Sequence, residues 1–135
     1  MTLVVDASLV VAALVDSGPD GVWAASVLAS EDLAAPHFMP VEVASVLRRA
    51  WLEGDISDSV ASAAHADLLS LPVDLVPYQP FGERVWQLRH NLKPYDAWYV
   101  AVAEAFGLDL ATLDARLARS SGPRCRFVLP PATKT

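Results

Sequence analysis

Cysteine is nearly absent from the 135 residues: Cys125 is the only one. A lone thiol excludes an intrachain disulfide and any zinc site built on thiolates, and Cys125 reads as a small packing residue. The three histidines, His37, His65 and His90, lack metal-ligand spacing. No acid–base histidine pair is evident either. Apolar runs are short, and none reaches the roughly 18 residues that a membrane span requires. No basic segment leads the opening MTLVVDAS. That start is unlike a signal peptide, so the expected location is the cytoplasm. Lysine is scarce as well, with two against eight arginines, a bias that reads as a genomic habit.

What the chain does have is apolar content. Hydrophobic residues make up 53 % and charged residues 19 %, a balance that folds. The length suits one domain, expected over 1–131 with a short tail at 132–135. The net charge is −6, which taken alone argues against nucleic-acid binding. Its distribution argues otherwise. The first 47 residues hold six carboxylates and no Lys or Arg, whereas Arg84 to Arg126 holds seven basic and four acidic residues. An acidic pole beside a basic strip suits a metal site next to a phosphate track. Ordinary charge scatter is the alternative.

The pattern along the chain alternates. Leu3-Val4-Val5 predicts a buried strand, with a helix from Ala7 to Val15. Ser17 to Gly21 predicts a turn, and Asp20 can cap a helix to Ser30. Leu33–Ala35 predicts a second strand. Pro40 starts a helix to Glu53, ended by Gly54. Ser57 caps a helix to Ser70, and Val73–Val76 predicts a strand. A helix spans Pro80 or Phe81 to His90, and another spans Pro94 to Phe106, stopped by Gly107. Leu108–Leu113 predicts a strand ending at Asp114. A short helix then carries Arg116 and Arg119, and Arg126–Leu129 predicts a last strand. Such alternation implies an α/β fold, a parallel sheet with helices on both faces. Sites in such sheets form at the carboxyl ends of the strands.

Four acidic residues stand among apolar ones. Asp6 lies between Leu-Val-Val and Ala-Ser-Leu-Val-Val, and Asp114 follows Leu110-Ala111-Thr112-Leu113. Asp96 opens the apolar helix Asp-Ala-Trp-Tyr-Val-Ala-Val-Ala, and Glu42 sits among Val41, Val43 and Ala44. A buried carboxylate without a partner costs several kcal/mol. A hard divalent cation with oxygen ligands would compensate all four together. Structural alternatives exist for each. Asp6 and Asp114 can cap helices, and Glu42 and Asp96 can complement helix dipoles. Ser8 and Thr112 lie within two residues of Asp6 and Asp114, where they can orient a carboxylate, cap a helix or simply build a strand.

LVVDASLVVAAL, PVEVASVLRRAW and PYDAWYVAVAEAFGLDLATLDARLAR, in this order and spacing, resemble a PIN domain of the VapC toxin type. The resemblance spans essentially the whole chain. It implies an α/β/α sandwich with a central five-stranded parallel sheet. It implies a Mg²⁺- or Mn²⁺-dependent endoribonuclease with acidic ligands at Asp6, Glu42, Asp96 and Asp114 and a supporting hydroxyl at Thr112. It also implies a homodimer and a VapB-type antitoxin, in a heterotetramer or larger assembly. The function this suggests is toxin of a type II toxin–antitoxin pair. The alternatives are an inactive PIN domain that only binds a partner and a PIN nuclease with a non-toxin role.

The expected chemistry is metal-assisted hydrolysis of a phosphodiester in RNA, leaving a 5′-phosphate and a 3′-hydroxyl. Arg116 and Arg119 follow Asp114 at helical spacing, and Arg89 and Lys93 precede Asp96. These four are the candidate RNA contacts, with surface solubility the alternative for each arginine. Tyr95, Trp98 and Tyr99 can stack on bases, although core packing suits Trp98 and Tyr99 better. Apolar stripes at Leu47, Trp51 and 60–71 can receive an antitoxin helix or a second subunit.

Overall fold

The computed structural model describes residues 1–132; the last three residues of the expected tail, 133–135, lie outside the described residues. The elements run β1 (Thr2–Val5), α1 (Ala7–Val15), α2 (Pro19–Ser30), β2 (Asp32–Pro36), α3 (Met39–Leu52), α4 (Asp58–Ser70), β3 (Val73–Val76), α5 (Gly82–Gln87), α6 (Pro94–Phe106), β4 (Leu110–Ala111), α7 (Ala115–Ala118) and β5 (Phe127–Val128). The five strands form one parallel sheet in the order β3-β2-β1-β4-β5.

That order has a physical consequence. From β1 the chain steps outward to β2 and β3, then returns across the sheet to β4 on the other side of β1. Parallel crossovers are right-handed, so reversing the direction of travel moves the connecting helices to the opposite face. The helices pack accordingly. α1 packs against α2, α3 and α4, whereas α5 packs against α6, which lies on β1, β2 and β4. The reversal point falls between β1 and β4, where a crevice opens beyond the carboxyl ends of the strands.

Burial follows the pattern. Leu3, Val4 and Val5 are buried in central β1, while edge strand β3 leaves Asp74 and Leu75 exposed. α6 buries Ala97 and every residue from Tyr99 to Ala103, as expected of a helix apolar on nearly all sides. Gly107 ends α6 at φ 65°, a left-handed conformation that favours glycine. Gly21 is needed for space: a Cβ there would lie 1.7 Å from the Asp16 carbonyl oxygen, at the close approach of α1 and α2.

Several boundaries differ from expectation. α2 begins at Pro19 with Gly18 at its cap, so Asp20 lies in the first turn rather than capping it. Asp16 caps the turn instead, accepting from the Gly18 N–H at 2.7 Å. The helix expected from Pro80 to His90 is a six-residue α5 between two 3₁₀ turns. Pro80 lacks a donor and Gly82 has low helix propensity, which together weaken its start. β4 covers only Leu110–Ala111 of the expected Leu108–Leu113. It stops where Thr112 turns its hydroxyl to Asp6 and the chain bends to cap α7. β5 is likewise two residues long. Among the described residues no helix is long and apolar enough to cross a membrane.

Candidate active site

Asp6 ends β1 and caps α1. Its Oδ1 accepts from the Leu9 N–H at 3.1 Å and from the Ser8 hydroxyl at 2.6 Å. Its Oδ2 accepts from the Thr112 hydroxyl. The two hydroxyls play matching parts. Ser8 Oγ accepts from the Leu113 N–H at 3.2 Å, and Thr112 Oγ1 accepts from the Asp114 N–H at 2.9 Å. Each accepts a hydrogen bond from the turn after β4 and donates one to Asp6. Thus Ser8 and Thr112 fasten α1 to β4 across the reversal point and hold the Asp6 carboxylate between them. Asp6 is 6 % exposed and Thr112 is fully buried.

Asp114 caps α7, with Oδ1 accepting from the Arg116 and Leu117 N–H groups at 3.0 and 3.2 Å. Asp96 lies in the first turn of α6 and Glu42 in the first turn of α3, both half-buried. Glu42 Oε1 accepts from the Tyr99 hydroxyl at 2.9 Å. Capping and ligation are therefore compatible at Asp6 and Asp114, since each carboxylate oxygen carries more than one lone pair.

Electrostatics link the four groups. Burial pushes the Asp6 carboxyl above its ordinary range, against hydrogen bonds from Ser8, Thr112 and Leu9, and the Asp114 charge adds to the rise. Burial raises Asp96 too, with Asp114 adding to it and Lys93 and Arg116 opposing. Glu42 is raised by burial, relieved by Tyr99, and raised again by Asp96 and Asp6. Each of the three is thus near enough to another carboxylate to feel it. Among the described residues none of the four forms an ion pair.

Among the described residues no three His, Cys, Asp or Glu side chains are close enough together to hold a metal ion as they stand. A divalent ion at this edge would therefore reach part of the carboxylate set through water. The donors are all oxygen, which suits hard ions and disfavours zinc or copper. Lys93 and Arg116 offset part of the negative charge on this edge without forming an ion pair among the described residues. The site fits a hard divalent ion.

The expected RNA contacts separate into two groups. Lys93 and Arg116 line a cleft of about 300 Å³ together with Asp96 and Asp114. Arg119, the exposed C-cap of α7, is not among the cleft's lining residues. Arg89 lies over the Trp86 ring at 4.8 Å and donates to the Trp86 carbonyl. The basic strip is also partly committed to structure. Arg84 pairs with Glu104 at 2.7 Å and donates to the Gly122 carbonyl at 2.9 Å, tying α5, α6 and the loop before β5 together. Cys125, half-buried there, has its thiol pushed up to about 11 by burial, which keeps it inert.

Tyr99, expected in the core or stacked on a base, has a role that neither expectation covers. Its ring is buried, at 2 % exposure, but its hydroxyl reaches Glu42. A signal existed: a tyrosine in the Ala- and Val-rich part of the helix needs a partner for its hydroxyl, and it lies three residues after Asp96, on the same helix face.

A PIN domain family model matches residues 3–122. Ribonuclease VapC1 of Mycobacterium tuberculosis is 42 % identical over 127 residues, covering 93 % of this chain and 96 % of that one. Ribonuclease VapC9 of the same species is 36 % identical over 129 residues, covering 96 % and 98 %. This chain belongs to the PIN domain family, in its VapC branch. Among solved structures, PAE2754 from Pyrobaculum aerophilum superposes with a TM-score of 0.70 at 27 % identity, covering 94 % of this chain and 83 % of that one. The five-stranded parallel sheet and its helices are those of a PIN domain, and Asp6, Glu42, Asp96 and Asp114 all fall within the matched span.

Proposed function

We propose that this PIN domain, spanning 1–131, is a divalent-metal-dependent endoribonuclease and the toxin of a type II toxin–antitoxin pair acting in the cytoplasm. The observation that carries the reading is the group of four carboxylates at the reversal point of the sheet, three of them buried or half-buried beside another carboxylate and all free of ion pairs among the described residues. Names of relatives 36 and 42 % identical over nearly the whole chain support it.

Asp6, Asp96, Asp114 and Glu42 would hold Mg²⁺, for which Mn²⁺ can substitute, some of them through water, because among the described residues no three stand close enough to form a cage. Such an ion, when bound, lowers the pKa of water and stabilises charge developing at the attacked phosphorus. Ser8 and Thr112 fix the orientation of Asp6, and Tyr99 fixes that of Glu42. Lys93 and Arg116 draw the RNA backbone to the cleft by charge. Hydrolysis then leaves a 5′-phosphate and a 3′-hydroxyl.

The antitoxin is a VapB-type chain. A groove between α3 and α4, lined by Leu47, Arg48, Trp51, Ala61 and His65, has the apolar floor and polar rim that suit an amphipathic helix. Trp51, Val60 and Leu69 remain exposed in the expected apolar stripes, as a partner or a second copy in a homodimer would require.

Thermal unfolding with and without Mn²⁺, alongside RNA cleavage, tests the reading. Mn²⁺ should raise Tm, and EDTA should abolish both the shift and the cleavage. Asp6→Asn and Asp96→Asn should each lose most of the activity. Cleavage that survives EDTA, or full rates in both variants, would sink the mechanism. No Mn²⁺ stabilisation and no cleavage would make the chain a partner-binding scaffold.

A further inference from the structure

Of the aromatic residues near the carboxylates, Tyr99 is buried and Trp98 is half-buried with its ring edge-on to Tyr78 at 5.3 Å. Tyr95 differs. It is 52 % exposed, although it sits one residue before Asp96 in the first turn of α6. Its ring is stacked on Phe38, with centroids 4.6 Å apart and planes 27° from parallel. Phe38 is the N-cap of α3, and its carbonyl accepts from the Glu42 N–H at 3.0 Å. The stack therefore joins the N-terminal ends of α3 and α6, the two helix starts that carry Glu42 and Asp96.

An aromatic ring left half-exposed forgoes apolar burial. This one is also held in place from beneath, so it loses little freedom when a flat partner settles on it. Its setting selects that partner. Lys93, two residues before it, lines the cleft with Asp96, Asp114 and Arg116. Tyr95 lies outside the cleft's lining but next in sequence to Asp96, which lines it, so a ligand that carries a flat ring beside an anionic group meets both features. We propose that Tyr95, backed by Phe38, is a stacking platform for one unpaired nucleobase of the substrate, beside the phosphate held in the cleft. The substrate at this position is then single-stranded RNA, from a loop, bulge or end, because a base inside a duplex has both faces covered. The inference rests on the RNA-cleaving reading above.

The test is cleavage kinetics in Mn²⁺ on a pool of short unpaired RNAs of random sequence carrying a fluorophore, with the same pool annealed to its complement as duplex. Tyr95→Leu keeps an apolar contact for Phe38 but removes the ring. It should raise KM about tenfold or more, with a smaller effect on kcat. Tyr95→Phe and Tyr95→Trp should stay near wild type, and the duplex pool should be a poor substrate throughout. In a second measurement on unmutated protein, RNAs carrying 2-aminopurine should lose fluorescence on mixing, as the probe stacks. Equal KM for wild type and Tyr95→Leu overturns the inference, as does equal cleavage of duplex, or no quenching with the probe at any position. Should Tyr95→Leu leave KM unchanged but weaken capture of an antitoxin chain, the platform belongs to a protein partner and the inference fails. Wild type that cleaves with an unaltered KM in Tyr95→Leu leaves the nuclease reading intact; wild type that cleaves no RNA in Mn²⁺ removes both.

Discussion

Tyr99→Phe isolates one bond in the candidate site. The ring is buried at 2 % exposure and stays in place, and only the hydroxyl that donates to Glu42 Oε1 at 2.9 Å is lost. A hydrogen bond to a charged acceptor contributes about 1.5–3 kcal/mol, and the lower end applies where water reaches the acceptor. Glu42 is half-buried, so the expected loss is about 1.5 kcal/mol. For a chain of this size that lowers Tm by roughly 5 °C. The assay is thermal and urea unfolding in EDTA, which keeps metal affinity out of the measurement. Because the substitution also removes the buried hydroxyl itself, the decisive experiment is the cycle with Glu42→Ala. In that background Tyr99→Phe should cost nothing, since the hydroxyl has already lost its acceptor, and the coupling should be about 1.5 kcal/mol. Additive losses, with coupling under about 0.3 kcal/mol, would refute the bond as the source. A second consequence concerns function: Tyr99→Phe should weaken Mn²⁺ binding, measured by calorimetry, because Glu42 is no longer held in one orientation.

Thr112→Val should destabilise by more than about 2 kcal/mol, since it leaves a buried Asp6 oxygen and the Asp114 N–H unpaired; Thr112→Ser should recover most of that in urea unfolding. Gly21→Ala should destabilise by more than about 2 kcal/mol, because its Cβ would overlap the Asp16 carbonyl oxygen and push α1 from α2; a midpoint within error of wild type would contradict the close approach. Burial alone would raise the Glu104 carboxyl, but bonds from Arg84 and the Arg124 N–H hold it below its ordinary 4.5. Its folded-state pKa is thus below the unfolded one, so its stabilisation is present above about pH 4.5 and is lost as pH falls through the folded value. Glu104→Gln should therefore lower the urea midpoint at pH 7 and flatten its dependence on pH in the acid range.

How much of this was legible beforehand depended on how far apart the interacting residues lie. Elements bounded by local signals were readable from the sequence. Ser57 caps α4 as expected, β3 covers Val73–Val76, and α6 runs from Pro94 to Phe106 with Gly107 after it. Each boundary is set by a proline, a glycine or a capping hydroxyl within a turn of the element. β4 and β5 were overextended because their apolar runs continue past the ladder, and what ends β4 is a bond from Thr112 to a residue 106 positions away. The strand order was out of reach for the same reason, since the pairing of Val4 with Leu110 leaves no local mark.

The acidic residues stood out because an apolar neighbourhood makes a charge costly wherever the chain goes. The arginines did not sort themselves in this way. Arg116 and Arg119 look equivalent in sequence, yet Arg116 lines the carboxylate cleft and Arg119 does not, while Arg84 is tied to Glu104, twenty residues on. A flexible cation takes whatever partner the fold brings near, so its role is decided by tertiary structure. The aromatics follow the same logic in reverse. Tyr99 and Tyr95 lie four residues apart on one helix, and only the sheet beneath α6 and the end of α3 beside it decide that one is buried against Glu42 and the other is left open on Phe38.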